Sequence, residues 1–273
     1  MLINMPYLKR ILSIFVLLSG IIFYACHKNA VTGRVGLNLV PEADLMQMSS
    51  AEYGKFLSEH PPLSESDSRV QTVRACGERI QKAVEQYYKQ KGLANELASY
   101  KWEFNVVDEA TINAWCMPGG KVVFYTGILP VTLDENGLAV VMGHEVAHAV
   151  ARHGNQRMSQ GLLVQFGGAM LSVALSQKPA IVHDLFLQSY GITTGITVLK
   201  YSRKHESEAD KMGLIFAAMA GYDPEAAIAF WQRMASGGGQ KPPELLSTHP
   251  SDERRIADLK KFMPEAKKYY RPQ

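Results

Sequence analysis

The chain has 273 residues, an apolar share of 47% and a charged share of 20%, which supplies a sizeable core and excludes a disordered chain. Its formal net charge is only +3, and no basic stripe with interleaved aromatics is present, so no nucleic-acid partner is expected. There are no internal repeats, which excludes a solenoid.

At the N-terminus, Lys9 and Arg10 precede an apolar run from Ile11 to Ala25. The run is short for a spanning helix, which needs about 20 residues, and suits the core of a signal peptide. Cys26 follows Ala25 directly, and a small residue followed by Cys after such a run resembles a bacterial lipoprotein box. Residues 1–25 are therefore read as a signal peptide and Cys26 as a lipid anchor that tethers the chain to a membrane without spanning it. This reading implies export across the bacterial inner membrane and a cell-envelope location, in the periplasm or at the outer membrane. Residues 26–45 carry Gly33, Gly36 and Pro41 with no helical period and read as an extended lipid-anchor linker, leaving 46–273 as the folded domain. Cys76 and Cys116 can be read as a bridge or, the preferred reading, as two buried free thiols.

Helical spacing runs from about Glu42 to Glu59 and again from Ser64 to Lys91, with Ser66 or Asp67 as cap and Gly92 as stop. Residues 100–126 read as β: Trp102, Phe104 and Val106 alternate, Ile112 to Met117 is a second strand, Pro118-Gly119-Gly120 turns, and Val122 to Tyr125 is a third. Asp134 or Asn136 then caps a helix expected to run to His153 and stop at Gly154. The apolar stretch Gly161 to Leu175 contains Gln165, Gly167 and Gly168 and reads as a buried or interfacial helix. Glu206 to Ala220 is a helix ended by Gly221, Asp223-Pro224 opens the next, Ser236 to Pro243 is a loop, and a last helix covers about Asp252 to Phe262.

The capped helix contains His144-Glu145-Val146-Ala147-His148. Residues four apart share a helix face, so both imidazoles can address one metal ion, with Glu145 close enough to act as a general base. A zinc site of this kind needs a further protein ligand. His153 lies about 140° off the ligand face and is a poor candidate. Glu206 and Asp210 share one face of a later helix, on or beside which Ala209, Gly213, Ala217 and Ala220 permit close packing. A carboxylate there can meet the metal, Asp210 can take a ligand imidazole's second N–H, and Glu208 points away, so its loss is not expected to cost the metal. The alternative for this segment is an acidic, solvated helix start.

These motifs resemble the HtpX-like and CAAX-prenyl-protease-like family of zinc metalloendopeptidases, of gluzincin type, in the form of its bacterial lipoprotein members without a repeat tail. The resemblance is carried by Asn113-Ala114-Trp115-Cys116-Met117-Pro118-Gly119-Gly120, by Val141 to His153, by Arg203, Glu206, Ala209 and Asp210, and by Ser247-Thr248-His249-Pro250 with Arg255-Ile256. Val31-Thr32-Gly33-Arg34 also looks like the lipoprotein members. The resemblance implies an α+β fold, a mostly helical zincin-like domain with a small β-sheet edging the cleft. It implies one Zn2+ per chain held by His144, His148 and Glu206, with Glu145 as general base and Asp210 behind a ligand. His249 would either stabilise the oxyanion or cap the metal at rest, and Arg255 would assist or hold its loop. The strand at Asn113, Ala114 and Trp115 offers backbone groups to an extended or unfolded polypeptide. The activity implied is endoproteolysis of misfolded or misassembled envelope proteins. The rival reading is a latent metal-binding lipoprotein that acts as a chaperone or assembly factor.

Overall fold

The computed structural model describes residues 26–166, 179–190, 202–236, 245, 249 and 253–272. Strands β1 (Cys26–Lys28) and β2 (Val35–Leu37) form an antiparallel hairpin. Helices α1 (Glu42–Glu59) and α2 (Ser68–Gln90) follow. Then come β3 (Glu103–Val107), β4 (Ala114–Met117) and β5 (Lys121–Tyr125). A short α3 (Leu129–Thr132) leads into α4 (Glu135–Val150), and α5 (His153–Phe166) and α6 (Pro179–Tyr190) come next. Helices α7 (Arg203–Met219), α8 (Ala226–Ser236) and α9 (Glu253–Lys267) complete the described α-helices. The architecture is α+β and mostly helical, as the sequence implies.

The sheet order is β3-β5-β4, with β3 parallel and β4 antiparallel to β5. Side chains alternate across a strand, and here both faces are covered. Phe104, Val106, Cys116, Val122 and Phe124 face a core shared with α2, α4, α7, α8 and α9. Val107, Trp115, Met117 and Val123 face a second core built from α1, α5 and α6. The β4–β5 turn requires its glycines: both have positive φ, and a Cβ on Gly120 would sit 2.4 Å from the Trp102 ring. Helix α4 has no solvent face from Gly137 to Val150, which is how a helix apolar all round must be placed.

Most expected helix limits hold, and their causes are visible. Asp67 caps α2 by accepting from Arg69 N, Asp134 caps α4 by accepting from Gly137 N at 2.9 Å, and Gly92 and Gly221 follow their helices at positive φ. The metal-motif helix is the exception. It ends at Val150 rather than His153, the chain turns through Arg152 at φ 58°, and His153 starts a new helix. Gly154 is therefore not a stop but an early residue of α5, where a Cβ would strike the Tyr190 ring. The last helix likewise outruns Phe262 and passes Pro264, because Met263 and Ala266 are buried in the core.

Of the stretch 26–45, expected as an extended linker, residues 42–45 open α1 and residues 26–41 are attached to the domain. Asn29 Oδ1 accepts from the N–H groups of Val31 and Thr32 and closes the β1–β2 turn. Leu39 N donates to Ser159 Oγ and Asn155 Nδ2 to Val40 O, both at 2.8 Å, which fastens the segment along α5. Cys26 is exposed at the head of β1, and Cys76 and Cys116 are buried free thiols. Residues 1–25, the stretch 167–175 and the loop 237–243 lie outside the described residues. Among those described, no helix is long and apolar enough to cross a membrane.

Candidate metal centre

Helices α4 and α7 touch backbone to backbone. A Cβ on Gly143 would lie 2.8 Å from Gly213 O, and one on Gly213 would lie 2.9 Å from His144 N. Because both positions are glycine, the start of α7 comes within side-chain reach of the two histidines of α4.

The result is a buried cluster of His144, His148, Glu206 and His249, whose ligand atoms all lie within 4.8 Å of one another. His144 Nε2 is 3.1 Å from His148 Nε2 and 3.2 Å from His249 Nδ1. Glu206 Oε1 is 3.1 Å from His249 Nδ1 and 3.4 Å from His148 Nε2. Four ligand atoms about 2.0–2.1 Å from a tetrahedral zinc stand about 3.3 Å apart, so these spacings fit the ion. The donor set fits too: imidazole nitrogens and one carboxylate are what zinc takes.

The electrostatics are those of a cation site. Burial would raise the Glu206 carboxyl, but His249 and hydrogen bonds from His144 and His148 hold it well below the usual range. Burial pushes His148 down, toward the neutral form a ligand needs. His144 is pushed down by burial too, but Asp210 and Glu206 outweigh it and hold the imidazole up at about 9. Glu145 lies beside the cluster, raised above the usual carboxylate range by burial. Among the described residues its Oε1 accepts no hydrogen bond, and it is 3.7 Å from His249 Nε2.

Asp210 stands behind His144, with Oδ1 3.0 Å from Nδ1. Arg255 of α9 clamps the same carboxylate with two parallel hydrogen bonds, at 2.9 and 2.7 Å, and places Nη1 3.1 Å from Glu206 Oε2. Its guanidinium lies 3.3 Å over the Trp231 ring. Sequence reasoning left the job of Arg255 open between two roles and did not find Trp231.

It also missed what lies behind His148. His153 Nδ1 is 3.0 Å from His148 Nδ1, and His153 Nε2 is 2.9 Å from Glu208 Oε2. Glu208 does point away from the ligand cluster, but toward a buried histidine and Arg34, not toward solvent. Burial would raise its carboxyl; hydrogen bonds from His153, Arg34 and Thr32 outweigh this and hold it at about 2. Nothing in the local spacing signals this meeting, because it depends on the positive-φ turn at Arg152.

Asn113 precedes β4, which packs on α4 and, among the described residues, pairs with β5 on one side only. Ala114 and Trp115 are buried, and Asn113 O accepts from Tyr125 N. At its start, Ile112 O accepts from Leu245 N, and Leu245 O accepts from His249 N, so the segment bearing His249 abuts this edge. A cleft of about 400 Å³ between α7 and α9, lined in part by Ser207, Leu214 and Phe262, reaches Glu206 from the other side.

Two imidazoles and a carboxylate around one point, with a second carboxylate beside them on the His-Glu-x-x-His helix, define a zincin-type metallopeptidase centre. The sequence carries the matching family signature: Peptidase family M48 matches residues 75–263, and the chain belongs to that family of zinc-dependent enzymes. It is 38% identical over 172 residues to Mitochondrial metalloendopeptidase OMA1 of Schizosaccharomyces pombe, covering 62% of this chain and 49% of that one. It is 33% identical over 260 residues to Metalloendopeptidase OMA1, mitochondrial, of Homo sapiens, covering 91% and 48%. It is 26% identical over 238 residues to the Beta-barrel assembly-enhancing protease of Escherichia coli, covering 84% and 49%. The chain thus spans about half the length of the curated relatives it matches. These likenesses correct the expected location. The more similar relatives are mitochondrial and the bacterial one is weaker, which overturns the expected location in the bacterial periplasm or outer membrane.

Proposed function

We propose that the chain is a zinc metalloendopeptidase in which His144, His148 and Glu206 hold the metal and Glu145 is the general base. The observation that carries this reading is the convergence of those three ligand side chains, from two helices in backbone contact, beside a buried carboxylate with an unpaired oxygen. When bound, zinc supplies Lewis acidity, which acidifies water and polarises a carbonyl. Glu145 takes the attacking water's proton and returns it to the leaving amine. Burial raises its carboxyl above the usual range, the direction that makes a carboxylate a better proton acceptor. Asp210 fixes His144 by accepting its Nδ1–H, and Arg255 fixes Asp210. The substrate proposed is an extended segment of a misfolded or misassembled polypeptide, lying along the side of β4 that no described strand occupies, near Asn113, Ala114 and Trp115. An edge strand recognises backbone in this way, with little demand on sequence. Glu145→Gln is expected to keep one zinc per chain and to lose cleavage of casein by about 10²–10⁴-fold. Chelator should stop the unaltered enzyme and zinc restore it. Cleavage at the normal rate in the Gln variant would sink the mechanism.

A second reading concerns His249. Its Nδ1 lies at ligand spacing from His144 and Glu206, and its Nε2 faces Glu145, so its ring stands where substrate and water must enter. This favours a resting state in which His249 is the fourth ligand and withdraws for catalysis. His249→Ala then cleaves faster than the parent; slower cleavage with zinc retained would assign His249 to the oxyanion instead. Cys26, exposed at the head of β1, is proposed as an acylation site. The intact mass of the purified chain decides it: a product starting at an acylated Cys26 supports the assignment and a free thiol overturns it.

A further inference from the structure

We propose that His148 is held in its ligand orientation from behind by a relay through His153 and Glu208, and that the N-terminal hairpin sets this relay through Thr32 and Arg34. The inference rests on the reading of His148 as a metal ligand.

The turn at Arg152 makes the relay possible, because it folds His153 back beneath the end of α4. The His153 ring is fully buried and stacks on His205 at 4.5 Å with an interplanar angle of 23°. His205 Nε2 in turn lies 3.1 Å from Gln156 Oε1. His153 therefore has a fixed plane, with one nitrogen on His148 and the other on Glu208.

The direction of the hydrogen bonds follows from Glu208. An ionised carboxylate only accepts, so His153 Nε2 must carry a hydrogen and donate it. A neutral His153 then presents Nδ1 as an acceptor. His148 Nδ1 must therefore be the donor, which leaves His148 Nε2 with a lone pair facing Glu206 and the other ligands. One carboxylate thus fixes the tautomers of two rings and delivers the nitrogen that a metal needs. No titration is involved, since both rings stay neutral.

Glu208 is set in turn by the hairpin. Arg34 Nε donates to its Oε2 at 2.6 Å, and Thr32 Oγ1 donates to its Oε1. These two residues belong to Val31-Thr32-Gly33-Arg34, a stretch whose role the sequence left unexplained. The hairpin can hold Glu208 because it is itself held. Asn29 N donates to Arg34 O at 2.8 Å across the turn, and the segment after β2 is fastened to α5. The groups behind a ligand histidine typically carry 10–100-fold of metal affinity.

The test is zinc affinity of the full chain, measured by competition with a chelator, together with the visible spectrum of the cobalt-substituted protein. Glu208→Gln keeps the size of the side chain but removes its charge, so the bonds from His153 and Arg34 to Oε2 lose their ionic partner, and an amide that can also donate no longer obliges His153 Nε2 to be the donor. It is expected to weaken zinc by about 10–100-fold and to shift the cobalt bands, while still filling at saturating zinc. Arg34→Met should act in the same direction and by less, and Arg34→Lys should recover most of the loss. A purely structural role would lower the melting temperature of the metal-free chain and leave the cobalt bands of the folded fraction in place. Should Glu208→Gln fail to fold, Arg34→Met decides instead, since the Arg34 side chain is 28% exposed. Unaltered affinity and cobalt bands in these variants, with metal lost in His148→Ala, would overturn the relay and leave the site intact. Full zinc in His148→Ala would instead remove the reading on which the relay rests.

Discussion

His144 and His148 stand one turn apart on α4 and offer the same atom to the same point, yet they are supported from opposite ends of the chain. Behind His144 the support is direct: Asp210 on α7, gripped by Arg255 on α9. Behind His148 it passes through a second imidazole to Glu208 and ends on Arg34 in the N-terminal hairpin. Both supports end on an arginine, and both use a carboxylate from α7. If His148 is a ligand held as proposed, the difference teaches that a ligand can be oriented through one link or two, and the longer route would make a remote segment part of the metal centre.

The largest effect is expected at the carboxylate that lies beside both histidines. Glu206→Ala removes the third proposed metal ligand and should empty the site and abolish cleavage; metal analysis showing one zinc per chain would break the comparison at its root. Asp210→Asn tests the direct support alone, with an expected loss of about 10–100-fold in zinc affinity. If Glu208→Gln costs more than Asp210→Asn, the indirect route outranks the direct one. Gly213→Ala moves both carboxylates at once, because the new Cβ would sit 2.9 Å from the α4 backbone. Parting the helices should cost about 1–3 kcal/mol, read as a lowered melting temperature together with weaker zinc. An unchanged melt and affinity would mean that the backbone contact is not needed. The smallest effect belongs to Asp134→Ala, which removes the cap of α4 at the end far from the ligands. Denaturant unfolding should show a loss of about 1 kcal/mol with zinc affinity unchanged.

What could be read from the sequence follows the same division. The ligand face of α4, the face of α7 bearing Glu206 and Asp210, and the small residues between the helices all obey a 3.6-residue period, so local spacing revealed them. His153 and Glu208 did not yield to that rule. Their meeting depends on a positive-φ turn at Arg152, a residue type that carries no turn signal. Counting helical steps from His148 to His153 assumed a helix that had already ended. The sheet was half legible: three strands and a Pro-Gly-Gly turn were expected, but the parallel pairing of β3 with β5 is set by non-local packing. The hairpin at 26–37 reads as linker because its strands are short and only the Asn29 turn gives it shape.

One property of α4 bears on how such an enzyme chooses where to cut. From Gly137 to Val150 every residue of that helix is covered by other parts of the protein. It has no surface left on which to distinguish one peptide side chain from another. Selectivity must then be written by the rim, in the half-buried residues of the α7–α9 wall around Ser207 and Phe262. An engineer who wants a different cleavage preference should vary those positions and leave the helix of the zinc motif untouched.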